Sequence, residues 1–315
     1  MGAADTGVTR PGDPATGPGD PAAGPRFESD GRGGWTVVLD GQPQSHVDLA
    51  DPGLVTFEYV QHFCLAIAAG MPPAPAPLRV THVGGAGMTL ARWVQHTRPS
   101  SPQIVLEPDA TLTEAVRERL PLPRGHRIRV RPVDGLTGVR ALGSASADVV
   151  VLDAYAAGQV PAELATPSFL AEVARVLAPG GVLLANLADE PARRWVARAL
   201  ATLAAVEDLG HLAAVVATHD VLKGRRFGNY VAVTTRAPTR EPSPGKPTQG
   251  ATAGGSPGLG LDLDALRRAV ASAPIPTGIR MGAEVTRLIA GARPFTDADA
   301  QPSPPPPDPG AWRVR

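Results

Sequence analysis

The sequence predicts an α/β fold, a doubly wound and mostly parallel sheet of seven strands preceded by a small N-terminal β-hairpin. Three observations carry that expectation. Between residues 78 and 236, short apolar runs alternate with longer stretches of helical periodicity, the pattern of a parallel sheet covered on both faces. The first run leads straight into Gly84-Gly85-Ala86-Gly87 and then a helix. The second ends in Glu107, about twenty residues after the glycines, the spacing of a loop and an acidic strand end that meet at one ligand.

Taken in order, residues 1–32 are mostly Gly, Pro, Ala and Asp, with almost no large apolar side chains to offset the entropy of ordering, and are expected to be disordered. Residues 35–39 and 44–49 flank Asp40-Gly41, a dipeptide suited to the positive φ angles of a hairpin turn. In residues 54–69, Val55, Tyr59, His62 or Phe63, and Ala66 recur at helical spacing until Met71-Pro72-Pro73 stops the run. Hairpin and entry helix make up a segment 33–77 ahead of the main domain, 78–236.

In that domain the expected strands are 79–83, 103–106, 127–130, 149–152, 182–186, 212–217 and 230–234, and the expected helices 89–96, 110–120, 167–177 and 191–203. Residues 219–228 show no helical pattern, so the last two strands are expected to pair antiparallel, a parallel pair needing a longer crossover. The result is a Rossmann-like sheet with ligands gathered at the carboxyl ends of its strands. Residues 237–258 have the composition of a linker, 259–300 offer two short helices at 262–273 and 284–290, and 301–315 are expected to be a disordered tail.

Composition narrows the function. Of 315 residues, 30 are basic and 30 acidic, and no Lys/Arg stripe interleaved with aromatics occurs, which argues against a nucleic-acid partner. Cys64 is the only cysteine, so neither an internal disulfide nor a thiolate metal cluster can form, and a reducing, cytoplasmic setting with no metal is expected. No apolar run reaches membrane-spanning length and the N-terminal stretch lacks a signal peptide's apolar segment, so no membrane association is expected.

The candidate site residues lie at strand ends. Gly84, Gly85 and Gly87 let the backbone approach a nucleoside at a helix N-terminus, or simply make a tight turn. Glu107 is placed to accept hydrogen bonds from two ribose hydroxyls, unless it is a solvated charge. Asp134 and Gly135 follow the third strand, where they suit an adenine amino group and ring, or an Asp-Gly turn. Asp153 ends VVVLDAY, an otherwise apolar strand that delivers one carboxylate to the switch point of the sheet, where it serves chemistry or caps a turn.

These residues also carry a family resemblance. LDGQPQSHVDLADPGLVTFEYV resembles the N-terminal hairpin and entry helix of spermidine synthases; VTHVGGAGMTLARWV, VLEPD and VVVLDAY resemble their Gly-rich loop, acidic strand end and catalytic strand. FLAEVARVLAPGGVLLANL is similar both to that family and to S-adenosylmethionine-dependent methyltransferases, which share a class I methyltransferase type of sheet. The resemblance, over about residues 35–235, implies transfer of an aminopropyl group from decarboxylated S-adenosylmethionine to a small-molecule amine. It implies Asp153 as proton acceptor and Gln44, Tyr59 and Tyr155 as borders of the amine pocket, where Gln44 and Tyr59 also suit plain packing. A homodimer is implied too. The sequence departs from the family pattern at Gly87, where an Asp is expected, at Ala156, the second acid of an Asp-x-x-Asp motif, and at Val60-Gln61 in place of His-Glu. Buried ammonium groups need carboxylate partners, so these departures put a diamine acceptor in question. The alternatives are an S-adenosylmethionine-dependent methyltransferase and a catalytically silent nucleoside-binding module.

Overall fold

The computed structural model describes residues 24–237 and 259–307. The expected linker therefore lies, apart from Ala237, outside the described residues.

Strands β1 (Arg26–Ser29), β2 (Gly34–Leu39) and β3 (Gln42–Asp48) form a small antiparallel sheet. Asp40 (φ 51°) and Gly41 (φ 73°) turn β2 into β3, as the dipeptide predicts. The third strand is a correction: β1 falls within the stretch expected to be disordered and pairs with β2, Phe27 opposite Val37. Its four residues carry one large apolar side chain, and its order comes from main-chain bonds to a neighbouring edge, which composition does not encode.

The rest follows the expected alternation. It runs α1 (Glu58–Gly70), β4 (Val80–Val83), α2 (Thr89–Thr97), β5 (Gln103–Leu106), α3 (Ala110–Arg119), β6 (Ile128–Arg131), α4 (Gly135–Arg140) and β7 (Ala147–Leu152). It continues with α5 (Pro167–Val176), β8 (Leu177–Asp189), α6 (Arg194–Ala205), β9 (His211–Thr218), α7 (His219–Leu222) and β10 (Gly228–Thr235). Helix starts are written locally. Asp109 accepts the Leu112 N–H (2.8 Å) ahead of α3, and Thr166 accepts the Phe169 N–H (3.3 Å) ahead of α5, whose first residue is Pro167. Helices α4 and α7 are short additions that periodicity does not reveal, α7 lying in the stretch expected to be plain loop.

Beyond residue 258 come α8 (Leu263–Ala271), β11 (Thr277–Met281) and α9 (Ala283–Ile289). Strand β11 pairs antiparallel with β9, so the main sheet has eight strands rather than seven, in the order β6-β5-β4-β7-β8-β10-β9-β11. Strands β4, β5, β6, β7 and β8 run parallel, and β10 runs antiparallel to both β8 and β9, as the missing crossover predicts. The winding direction changes between β4 and β7. One face is covered by α4, α5 and α6, through Val139, Phe169 and Leu200; the other by α1, α2 and α8, through Phe63, Val94 and Leu266. The small sheet packs Val37 and Val47 against α3's Leu112 and Val116.

The expected disordered tail is corrected over residues 301–307; residues 308–315, like residues 1–23 at the other end, lie outside the described residues. Ser303 is fully buried: its hydroxyl accepts the Val160 N–H (2.9 Å) and its own N–H donates to the Val160 carbonyl (3.1 Å). The Gln159 side-chain amide donates to the Ser303 carbonyl, and the Trp195 indole N–H to that of Gln301 (2.8 Å). Upstream, Phe295 lies against Trp195 (ring centroids 6.0 Å apart). Proline-rich composition hides this because the segment is anchored by single polar contacts and has no apolar periodicity.

Candidate functional site

At the carboxyl ends of β4, β5 and β7 lies a cavity of about 250 Å³, at the low end of small-molecule sites. Gly84, Gly85, Glu107, Asp134, Gly135, Asp153 and Tyr155 line it, with Gln44 from the small sheet. Gly84 sits at φ 97°, and a Cβ there would fall 2.2 Å from the Asp153 carbonyl oxygen, so only glycine lets the β4 loop and the β7 end meet.

Glu107 is nearly buried and braces that loop. Its Oε2 accepts the N–H groups of Gly85 (2.9 Å) and Ala86 (3.1 Å), and its Oε1 accepts that of Asp109 (3.1 Å). The carboxylate thus holds the loop in shape as well as facing the cavity. Gly87 is not among the residues lining the cavity: its N–H donates to Ser45 Oγ (3.0 Å), and a Cβ would sit 2.8 Å from Ser45 Cβ. The small sheet is therefore pressed onto the loop at the position where an acid is expected.

Asp134 caps α4 by accepting the Thr137 N–H (2.8 Å), and these bonds hold its carboxyl below the usual range. The turn-capping role is realised, on a residue that also borders the cavity. Gly135 is required by packing, since a Cβ would meet Val83 Cγ1 at 2.5 Å.

Asp153 follows the end of β7 and borders the cavity. Its N–H donates to the Val83 carbonyl (2.8 Å), and its Oδ1 accepts from Asn186 Nδ2 (2.9 Å). Tyr59, on α1, is a second group that favours the charged carboxylate. Burial raises the carboxyl to about 6 in spite of both neighbours. Burial, followed by the charge of Asp153, pushes the Tyr59 and Tyr155 hydroxyls well above their ordinary value, so both remain protonated donors at neutral pH. Asn229 Nδ2 donates to Asn186 Oδ1 (2.9 Å) and reaches the Tyr155 hydroxyl (3.3 Å), which donates to the Asn186 carbonyl (3.3 Å). Sequence reasoning missed Asn186 and Asn229. The usable signal is that Asn186 is the lone polar residue in the apolar run VLLANLA; Asn229 carries none, because only the insertion of β10 beside β8 brings it there.

Among the described residues no group of three or more His, Cys, Asp and Glu is placed to hold a metal ion, and no helix is long and apolar enough to cross a membrane.

A small antiparallel sheet in front of a doubly wound domain, with glycine loop and acidic strand ends around one cavity, is the architecture of spermidine synthases. A probable spermidine synthase from Corynebacterium glutamicum superposes with a TM-score of 0.71 and 28% identity, over 90% of this chain and 97% of that one. Spermidine synthase from Thermotoga maritima (TM-score 0.50, 20% identity, 67% of this chain and 68% of that one) shares the fold. So does a spermidine synthase in complex with the transition-state analogue AdoDATO (0.51, 16%, 84% and 80%). In sequence, the polyamine aminopropyltransferase of Vibrio vulnificus is 27% identical over 120 residues, 38% of this chain and 40% of that relative, so the match spans well under half of its length. No protein-family model matches. The chain is thus related to spermidine synthases by fold and, more weakly, by sequence.

Proposed function

We propose that the protein is a spermidine-synthase-like aminopropyltransferase that binds decarboxylated S-adenosylmethionine as co-substrate and modifies a small amine. The observation that carries the reading is Asp153: a half-buried carboxyl raised to about 6, held by the Asn186 side-chain amide, directly beside the glycine loop. Such a group is charged at neutral pH yet basic enough to take a proton from an attacking amine. The co-substrate supplies an electrophilic carbon next to a sulfonium; the amine nitrogen bonds to that carbon, methylthioadenosine leaves with the sulfur's electron pair, and Asp153 receives the proton. Glu107 and the loop it braces are assigned to the ribose, Asp134 and Gly135 to the adenine end, and Gln44 and Tyr155 to the amine side. The cavity is small, and Gly87 and Ala156 supply no carboxylate for a second ammonium, so a compact amine suits the site better than a long diamine.

Calorimetric titration with decarboxylated S-adenosylmethionine, S-adenosylmethionine and methylthioadenosine tests the reading, together with methylthioadenosine release in the presence of a series of amines. Tighter binding of the decarboxylated ligand and amine-dependent release are expected. Preference for S-adenosylmethionine would turn the assignment to methyl transfer, and absence of binding by all three to a silent module.

A further inference from the structure

A larger cleft lies elsewhere and shares no lining residue with the cavity around Asp153. Its volume is about 880 Å³, and it lies between the start of α6, β11, α9 and the loop that follows. Six arginines line it: Arg193, Arg194 and Arg198 from α6 and its entry, Arg280 from β11, Arg287 from α9, and Arg293. Only two carboxylates line it with them, Glu284 and Asp299.

Those carboxylates are already engaged. Asp299 pairs with Arg198 (2.7 Å), whose guanidinium lies over the Phe295 ring (4.1 Å), and Glu284 lies 3.7 Å from Arg280. Arg193 donates to the Leu222 carbonyl (3.1 Å), a neutral acceptor. Among the described residues, Arg194, Arg287 and Arg293 have no ion-pair partner. In a chain whose 30 basic and 30 acidic residues balance overall, four guanidiniums without carboxylates converge on one concavity. Like charges held together in a cleft repel one another and concentrate the field there, and both effects are relieved by an anion. Guanidinium forks bind phosphate oxygens in pairs, with a geometry that lysines do not offer.

We propose that this cleft is a binding site for a compact polyphosphate group. Several phosphates in one ligand can engage several guanidiniums that come from separate elements. Nucleic acid suits the cleft poorly: the aromatic ring lining it, Tyr230, is buried, with its hydroxyl given to the Val221 carbonyl (2.8 Å), and offers no stacking platform for bases. The site is independent of the chemistry assigned to Asp153, and half of its lining comes from residues beyond 258.

The test is calorimetric titration of the full chain with inorganic tripolyphosphate at about 0.15 M salt, the range in which surface charges are partly screened. The comparison uses an Arg194→Ser/Arg287→Ser double variant and, as control, an Arg127→Ser/Arg129→Ser variant at the start of β6; these four arginines are exposed, so the variants should keep the wild-type thermal midpoint. Saturable 1:1 binding is expected, weakened tenfold or more in the first variant, unchanged in the second, and falling with added salt. No saturable binding, equal loss in both variants, or no loss in the first would overturn the proposal. Competition by a single-stranded RNA at lower concentration than tripolyphosphate would overturn the ligand class.

Discussion

Asp153 sits between opposing influences, burial raising its proton affinity while Asn186 and Tyr59 lower it, and the outcome near 6 fixes what its variants should do. In the proposed reaction its charged form accepts the proton, so kcat/KM for amine transfer should rise with pH through about 6 and flatten above it, which initial rates across pH test. Asp153→Asn keeps the side chain's size and loses its basicity; transfer should fall by roughly a hundredfold or more while nucleoside affinity by calorimetry changes little. Full turnover in that variant would reduce Asp153 to a structural group. Glu107→Ala should weaken nucleoside binding by about 1.5 to 3 kcal/mol, the range for bonds to a charged acceptor. It should also lower the thermal midpoint, because Gly85 and Ala86 lose the acceptor of their N–H groups. Both carboxylates are legible in the sequence because each ends an apolar strand. The asparagines that orient Asp153 are not, since their role depends on which strands become neighbours.

Glycine loop and C-terminal strand show what local patterns do and do not encode. The turn after β4 is announced by its glycines, and Gly84→Ala should cost at least about 2 kcal/mol in a urea melt, because a left-handed residue with a side chain is strained and its Cβ would meet the Asp153 carbonyl. Gly87 carries a different lesson. Gly87→Asp, the obvious way to restore an acid there, should destabilise the fold by displacing Ser45, and Ser45→Gly in the same chain should recover part of the loss. Ser303→Ala leaves the buried Val160 N–H without its acceptor and should cost about 1 to 3 kcal/mol by the same measurement. Strands β1 and β11 escape sequence reading for a shared reason. Each is four or five residues of unremarkable pattern, ordered by an edge that exists only after the rest of the sheet has formed.

The fold class and the order of the main elements follow from alternation alone, yet the extent of the folded body does not. Residues 259–307 send α8 onto α1, pair β11 with the outer edge of β9, set α9 beside α6 and pin Ser303 to the loop after Gln159. The chain is therefore divisible. Residues 1–237 and 259–315, made as two separate polypeptides, should find each other and copurify as a complementing pair, since nearly everything that joins them is non-covalent packing. The first piece alone would expose the unpaired edge of β9 and should aggregate. The pair's melting temperature should climb with concentration more steeply than the intact chain's, because cutting the connection turns an intramolecular docking into a bimolecular one.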